Sequence, residues 1–314
     1  MGETSPLEAD GAQQQQEDTQ VRRARRHAAQ GIAFISPMFV FILATTLFPI
    51  LYVIVMSFFR NYLPEKSISF VFLENYVTII RDADFWRALS NTGVYVFFTV
   101  TFHILFALFL ALFLDKKGFF SGLARILRSI FITPWLLSWT VAASIWLLIL
   151  NPAGVLNGFA MTLGLLERQI PWLGEVRYAM GWLVLITVWK AFPFFMMFTY
   201  AALTTVPAEQ YESADIDGAG YFQRLFRITL PQILPTLLTL IVLDIIWSIR
   251  QFDIIFLTTA GGPLKSTLTM SLHVYFTAFE RFRFGLSSAE GVMIFLVSTI
   301  AALVYLRLYR RAEM

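Results

Sequence analysis

Four ionisable residues sit inside or at the edge of long apolar stretches of this chain: Lys190, Asp244, Arg250 and Asp253. A charge near the middle of a bilayer costs about 2.5–3.5 kcal/mol on insertion scales, so such residues mark either a solute pathway or a structural pair. Arg250 and Asp253 stand at i, i+3, a spacing that lets them pair on one helical face. Pathway lining and helix orientation both stay open for Lys190, Arg250 and Asp253, while Asp244 leans towards structure. Aromatic rings crowd the same segments. Trp189, Phe192, Phe194 and Phe195 flank Lys190, with Pro193 able to open the backbone. Trp247 and Gln251 flank Arg250, and Trp135, Ser138 and Trp139 lie upstream. Polar groups beside flat rings suit a hydroxyl-rich solute, which needs hydrogen-bond partners and a surface for its C–H faces. Aromatics make up 16% of the chain, so any single ring is more often packing or interfacial belt than ligand contact. Trp172 and Trp182 are assigned to the outer belt.

Other chemistry is thinly represented. Cysteine is absent, which removes disulfides, thiolate metal sites and cysteine nucleophiles. His27, His103 and His273 lie far apart, without the spacing of a metal cluster. No acid/base pair or nucleophile–base constellation emerges, so no enzymatic activity is expected. Gly261, Gly262, Lys265, Ser266 and Thr267 faintly imitate a phosphate-binding loop, but Pro263 intervenes and the full Gly-x-x-x-x-Gly-Lys-Ser/Thr pattern is missing. A net charge of +3 is too small to argue for nucleic acid.

The elements that must position these residues are membrane spans. The chain is 57% hydrophobic and 14% charged, against roughly 45–50% and 25% in soluble domains. Six segments reach the ~20 residues needed to cross a bilayer: about Ile32–Phe59, Leu89–Leu114, Ser129–Leu150, Met180–Leu203, Ile233–Phe256 and Glu290–Tyr309. They are expected to be helices, which satisfy their own backbone in lipid. Residues 1–30 form a separate tail, Gln-rich and acidic and then basic at Arg22, Arg23, Arg25 and Arg26, expected to be disordered. Residues 31–314 form the membrane domain. The dense basic runs at Arg22–Arg26 and Arg307–Arg311 fall on the same side as Lys116, Lys117, Arg224 and Arg227, whereas basic residues on the other side alternate with acids. The positive-inside rule then places both termini in the cytoplasm.

One polar loop, 204–231, stands out between the fourth and fifth spans. Pro207 opens a short helix whose first turn welcomes Glu209. Tyr211, Ala214 and Ala219 share an apolar side, leaving Glu209, Glu212 and Asp215 to water or a partner. Gly218 and Gly220 flank Ala219 and permit backbone angles closed to other residues. A second amphipathic helix over about Tyr221–Thr229 carries Arg224 and Arg227, and Leu230-Pro231 is expected to end it.

The run Glu212-Ser213-Ala214-Asp215-Ile216-Asp217-Gly218, followed by Ile228-Thr229-Leu230-Pro231, resembles the cytoplasmic "EAA" coupling loop of bacterial ATP-binding-cassette importer permeases, with Ser213 in place of the usual alanine. Asp217-Gly218-Ala219 matches the "DGA" common among sugar importers. Leu73-Glu74-Asn75-Tyr76, then Phe85-Trp86-Arg87-Ala88-Leu89-Ser90-Asn91-Thr92, and later Phe252-Asp253, Thr259-Ala260-Gly261-Gly262-Pro263 and Ser266-Thr267 resemble the maltose-type carbohydrate permeases, in particular the F-type subunit. The likeness runs over roughly residues 30–310. It implies an all-α polytopic membrane protein with six transmembrane helices of the type I ABC importer permease fold, in the bacterial cytoplasmic (inner) membrane. It implies ATPase coupling through Tyr211, Glu212, Ser213, Ala214, Asp217 and Gly218. Glu212 would be the charged contact, Gly218 the turn, and Tyr211 and Ala214 the docking surface. The substrate pathway is expected to use Trp139, Trp189, Lys190, Phe192, Trp247, Arg250 and Asp253. The implied partners are a second, G-type permease subunit, two ATPase subunits, an extracytoplasmic solute-binding protein, a sugar and membrane lipids, and no nucleic acid. The chain itself needs no cofactor, since ATP and Mg belong to the ATPase. The alternatives are an importer for glycerol-3-phosphate or another polar solute, or an ion-coupled secondary transporter, which would call for repeats and coupling carboxylates.

Overall fold

The computed structural model describes residues 30, 32–65, 67–115 and 121–312. The N-terminal tail, apart from Gln30, and the Lys116-Lys117 pair lie outside the described residues. The chain divides at Val55/Met56 into two compact units. The first is occupied by helix α1, Ile32–Met56, whose mean hydropathy of 2.5 is that of a lipid-exposed span. A π turn interrupts it at Leu43–Leu47.

The second unit opens with a small antiparallel hairpin, β1 (Phe59–Tyr62) and β2 (Ser67–Phe70), which departs from the all-helical expectation. Helices follow in order: α2 (Glu74–Arg81), α3 (Ala83–Asp115), α4 (Ser121–Leu136), α5 (Trp139–Ile149), α6 (Val155–Thr162), α7 (Val176–Thr204), α8 (Ala208–Ile216), α9 (Tyr221–Ile249), α10 (Asp253–Thr258), α11 (Met270–Tyr275) and α12 (Phe284–Ala312). Among the described residues, five helices are long and apolar enough to cross a membrane, or six if the bent pair Ser129–Leu136 and Trp139–Ile149 counts as one span.

Four long helices build the body. α3 and α7 run parallel: Tyr95 meets Thr187 at one level and Ala111 meets Ala202 at another. α9 runs the opposite way, so that Asp244 reaches His103 and Ile233 joins Ala111. Small buried residues, Ala88, Ala107, Ala111, Ala179 and Ala202, let the backbones approach closely. Polar side chains lock the register. The His103 Nδ1–Asp244 Oδ2 contact is 2.7 Å, and His103 Nε2 lies 3.3 Å from the Thr187 carbonyl. The Tyr95 and Thr187 hydroxyls are 2.8 Å apart, and Ser248 donates to Asp244 at 3.2 Å.

Three expectations about the spans need correction. The third span is not one rod: it bends by 102° after Leu136. Pro134 loosens the last turn of α4, and the Ser138 side chain accepts from the Val141 N–H at 3.2 Å to start α5 afresh. In the fifth span, Leu230-Pro231 does not end the helix. A π turn over Leu225–Thr229 precedes the proline, and the helix continues to Ile249. The Leu230 N–H closes the wider turn on the Leu225 carbonyl, so Pro231 falls in the first turn of the segment that follows, where a missing N–H costs least. The same span was drawn to Phe256 but stops at Ile249, with Arg250 as its cap.

Candidate functional site

The polar loop is built as its spacing suggests, with a sharper geometry. Pro207 caps α8, and its carbonyl accepts from Gln210 N–H at 3.2 Å. At the other end Gly218 N–H reaches the Asp215 carbonyl at 3.1 Å and Ala219 N–H the Ala214 carbonyl at 2.9 Å. That pair of bonds is a Schellman cap. It requires the left-handed φ of +72° that Gly218 adopts. Gly220 holds an ordinary φ of −70° and starts α9, so only Gly218 has the conformation expected of both.

α8 presents two unlike faces. Ala214 is buried, and Tyr211 packs its ring on a cluster of Ala111, Leu203, Val206 and Ile233 while its hydroxyl lies 2.9 Å from that of Thr229. Tyr211 and Ala214 therefore face the membrane body. The outer face carries Glu209, Glu212, Ser213 and Asp217, with Ile216 88% exposed and Phe222 of the next helix 71% exposed. Asp215 is taken up by an ion pair with Arg224. An acidic surface with an apolar rim remains. Beneath it a groove of about 550 Å³ opens between Glu212, Tyr221 and Arg224 on one side and Leu112 and Tyr200 on the other.

The intramembrane residues divide into groups. Lys190 is 5% exposed, donates to the Trp135 carbonyl at 3.3 Å and lies 4.4 Å from the ring centre of Trp139. Trp135 O is one of the carbonyls that the end of α4 leaves without a helical partner, so the ammonium caps the break while resting on an aromatic face. From Trp135 the ring contacts continue to Phe194 at 5.7 Å and on to Trp247 at 5.1 Å. The fold thus joins Trp139, Lys190 and Trp247 in one aromatic corner at the bent span. Two expected members point elsewhere. Phe192 turns its edge to Phe131, and Trp189 meets Trp146 at 5.6 Å in a file of rings that includes Trp182 and Trp172. Those last two are half-buried against the core. Arg250 and Asp253 are both exposed, and no ion pair joins them among the described residues, because the helix ends between them.

Sequence reasoning missed two assemblies. The His103–Asp244 pair was legible only as two ionisable residues at similar depth. The second lies at the end of the molecule opposite α8. There Asn91 donates to the carbonyls of Lys265 and Leu268, both at 3.0 Å, and the Thr92 hydroxyl accepts from Met270 N–H at 2.9 Å. Asp84 pairs with Lys265, and Arg87 reaches the Leu264 carbonyl. Two sequence patterns some 175 residues apart are one clamp, in which α3 fixes the loop around Gly261, whose φ is +83°. Among the described residues no group of His, Cys, Asp or Glu is placed to hold a metal ion.

Residues 83–314 match the family described as binding-protein-dependent transport system inner membrane component. The chain is 32% identical to the trehalose/maltose transport system permease protein of Thermococcus litoralis, over 91% of this chain and 95% of that one. It is 30% identical to the sulfoquinovosyl glycerol transport system permease protein of Agrobacterium fabrum, over 90% and 91%. Among solved structures, a chain of a bacterial ABC transporter involved in the import of the acidic polysaccharide alginate shares the fold with a TM-score of 0.82 at 23% identity, covering 93% of this chain and 99% of that one. A second structure of an alginate transporter, in complex with an alginate pentasaccharide-bound periplasmic protein, gives a TM-score of 0.79 at 23% identity, covering 92% and 96%.

Proposed function

The chain belongs to the family of binding-protein-dependent transport system inner membrane components, and from that membership we propose that it is a permease subunit of an ATP-driven carbohydrate importer. The observation that carries this reading is the exposed acidic helix Ala208–Ile216, closed by Gly218 and held between two membrane-crossing helices. Such a helix is a handle for a partner outside the bilayer. Its partner is an ATPase subunit with a basic cleft, and that subunit binds ATP and Mg. Glu212 is the charged contact, and Ile216 and Phe222 supply the apolar rim. Long-range attraction between this acidic face and the cleft steers docking, and apolar burial at the rim holds it.

The remaining partners are a second, G-type permease and an extracytoplasmic solute-binding protein that delivers the sugar to the end opposite α8. Arg224, Arg227, Arg307 and Arg310 share the α8 end, which supports a cytoplasmic α8 and cytoplasmic termini. Inside the membrane, the corner of Trp139, Lys190 and Trp247 lines the route. Its rings offer stacking surfaces for sugar C–H faces and its ammonium a donor for hydroxyls. The relatives' names speak of trehalose, maltose and a sulfoquinovosyl glycerol, all sugars or glycosides. A glycerol-3-phosphate cargo has less support, and family membership removes the ion-coupled secondary transporter.

The test is uptake of labelled trehalose and maltose by proteoliposomes holding the complete transporter, with and without internal ATP. ATP-dependent uptake is expected, and uptake driven by an ion gradient in vesicles lacking the ATPase would overturn the reading. Glu212→Ala, which removes one charge-assisted contact, is expected to lower ATP-linked uptake about tenfold or more with the complex still present in the membrane.

A further inference from the structure

We infer that the Tyr211–Thr229 hydrogen bond is the transmission link of this transporter, tying the coupling helix α8 to the foot of α9 so that the two move as one body. The inference rests on the importer reading. It goes beyond it by naming which span the helix drives and which residues carry the force. Tyr211 and Thr229 are positioning residues that touch neither ATP nor sugar.

α8 joins α9 covalently through Asp217-Gly218-Ala219-Gly220, where Gly218 holds a φ of +72° with open space around it. On the other side Thr205-Val206-Pro207 is a stiff connection, with Val206 packed in the cluster under α8. Past the glycine turn, force passes from α8 to α9 through side chains. Directional bonds run from α8 to α9: Tyr211 to Thr229 at 2.9 Å, Asp215 to Arg224, and Gln210 to Gln232. They leave α8 from two neighbouring turns, Gln210 and Tyr211 from one and Asp215 from the next, and land before, within and after the π turn Leu225–Thr229. Towards α3 and α7 the Tyr211 ring packs on Ala111, Leu203 and Val206, and beside that contact lies the 550 Å³ groove bounded by Leu112 and Tyr200. Apolar contacts slide, whereas hydrogen bonds fix direction.

Of the three bonds, those of Asp215 and Gln210 start from exposed side chains on α8 and compete with water. The Thr229 side of the third is 4% exposed. Thr229 closes the π turn, and its hydroxyl also approaches the Arg224 carbonyl at 3.4 Å. A pull on Tyr211 thus arrives at the one irregular turn in α9, twenty residues before the helix ends at Arg250. The rest of α9 carries Asp244 on His103 and Trp247 in the aromatic corner. Displacing its foot displaces that corner wall.

The experiment measures ATP hydrolysed per sugar taken up by the complete transporter in proteoliposomes, for the wild type, Tyr211→Phe, Thr229→Val and the double variant. Each single variant is expected to raise the ratio about fivefold, the factor that corresponds to the net strength of one hydrogen bond. The double variant is expected to match the singles, because one bond is lost in all three. Thr229→Ser keeps the hydroxyl and is expected to keep the wild-type ratio. An unchanged ratio in the singles, an additive rise in the double, or a rise in Thr229→Ser would overturn the inference. Failure of both single variants to assemble would also overturn it, since a bond that only transmits is dispensable for folding. A wild-type complex with no ATP-linked uptake would instead defeat the importer reading itself.

Discussion

Lys190 shows what a residue's position can and cannot announce. Its depth in an apolar stretch marked it as costly, and the structure shows how the cost is met: a freed carbonyl and an aromatic face rather than a carboxylate. Asp244 follows the commoner route of pairing, with His103 as its partner and Ser248 as a second donor. Both residues of that pair are almost fully buried. His103→Leu is therefore expected to destabilise the detergent-solubilised protein by about 3–5 kcal/mol, because it strands a carboxylate. The double variant His103→Leu/Asp244→Leu should recover most of the loss. Thermal unfolding of the three proteins checks this, and an equal or larger loss in the double variant would show that the pair is not the cause. The exposure of Glu212 was legible because a glutamate in a polar loop of so apolar a chain ordinarily faces water. The packing of Tyr211 on the membrane body was not legible, because an aromatic on a short helix looks alike in sequence whether it meets a partner or the body behind it.

Among the elements, the long spans were plain from hydropathy, and their ends were not. α7 starts at Val176 and α12 at Phe284, each several residues before the apolar core of its segment. The polar first turns are held by neighbours rather than by lipid. Gly285 illustrates this: a Cβ there would come within 1.9 Å of the Phe59 carbonyl of the hairpin. Tyr62 of that hairpin bridges Arg283, and Leu63 N–H bonds the Phe282 carbonyl at 3.1 Å. Gly285→Ala is expected to displace the hairpin and lower the thermal midpoint by several degrees. A midpoint equal to wild type would mean that the contact yields freely. The bend after Leu136 and the π turn before Pro231 each follow from a proline. Sequence shows where a helix is weakened, while the direction it then takes depends on what lies beside it.

Taken whole, the second unit has two functional ends joined by four long helices. One end carries α8, and the other the clamp of α3 on the loop around Gly261. The absence of cysteine makes the arrangement directly testable, since single cysteines introduce the only thiols. Ile216 is 88% exposed and Leu264 83% exposed, at opposite ends. In intact cells a membrane-impermeant maleimide is expected to label Leu264→Cys and to label Ile216→Cys only after permeabilisation. The reverse pattern would place α8 outside and end the proposed coupling to a cytoplasmic ATPase.

By itself the sequence determined the solvent this protein lives in, the stretches that cross it and the loop that leaves it. All three are local properties: hydropathy summed over ~20 residues, or turn chemistry within ten. The tertiary structure alone decided which side of α8 faces outward, which aromatic rings share a corner, and that His103 answers Asp244. Those depend on contacts between residues as much as 141 positions apart. In a chain where apolar and aromatic side chains are everywhere, periodicity cannot say which face meets lipid, a neighbouring helix or a route for solute, because the bilayer accepts the same residues as the core.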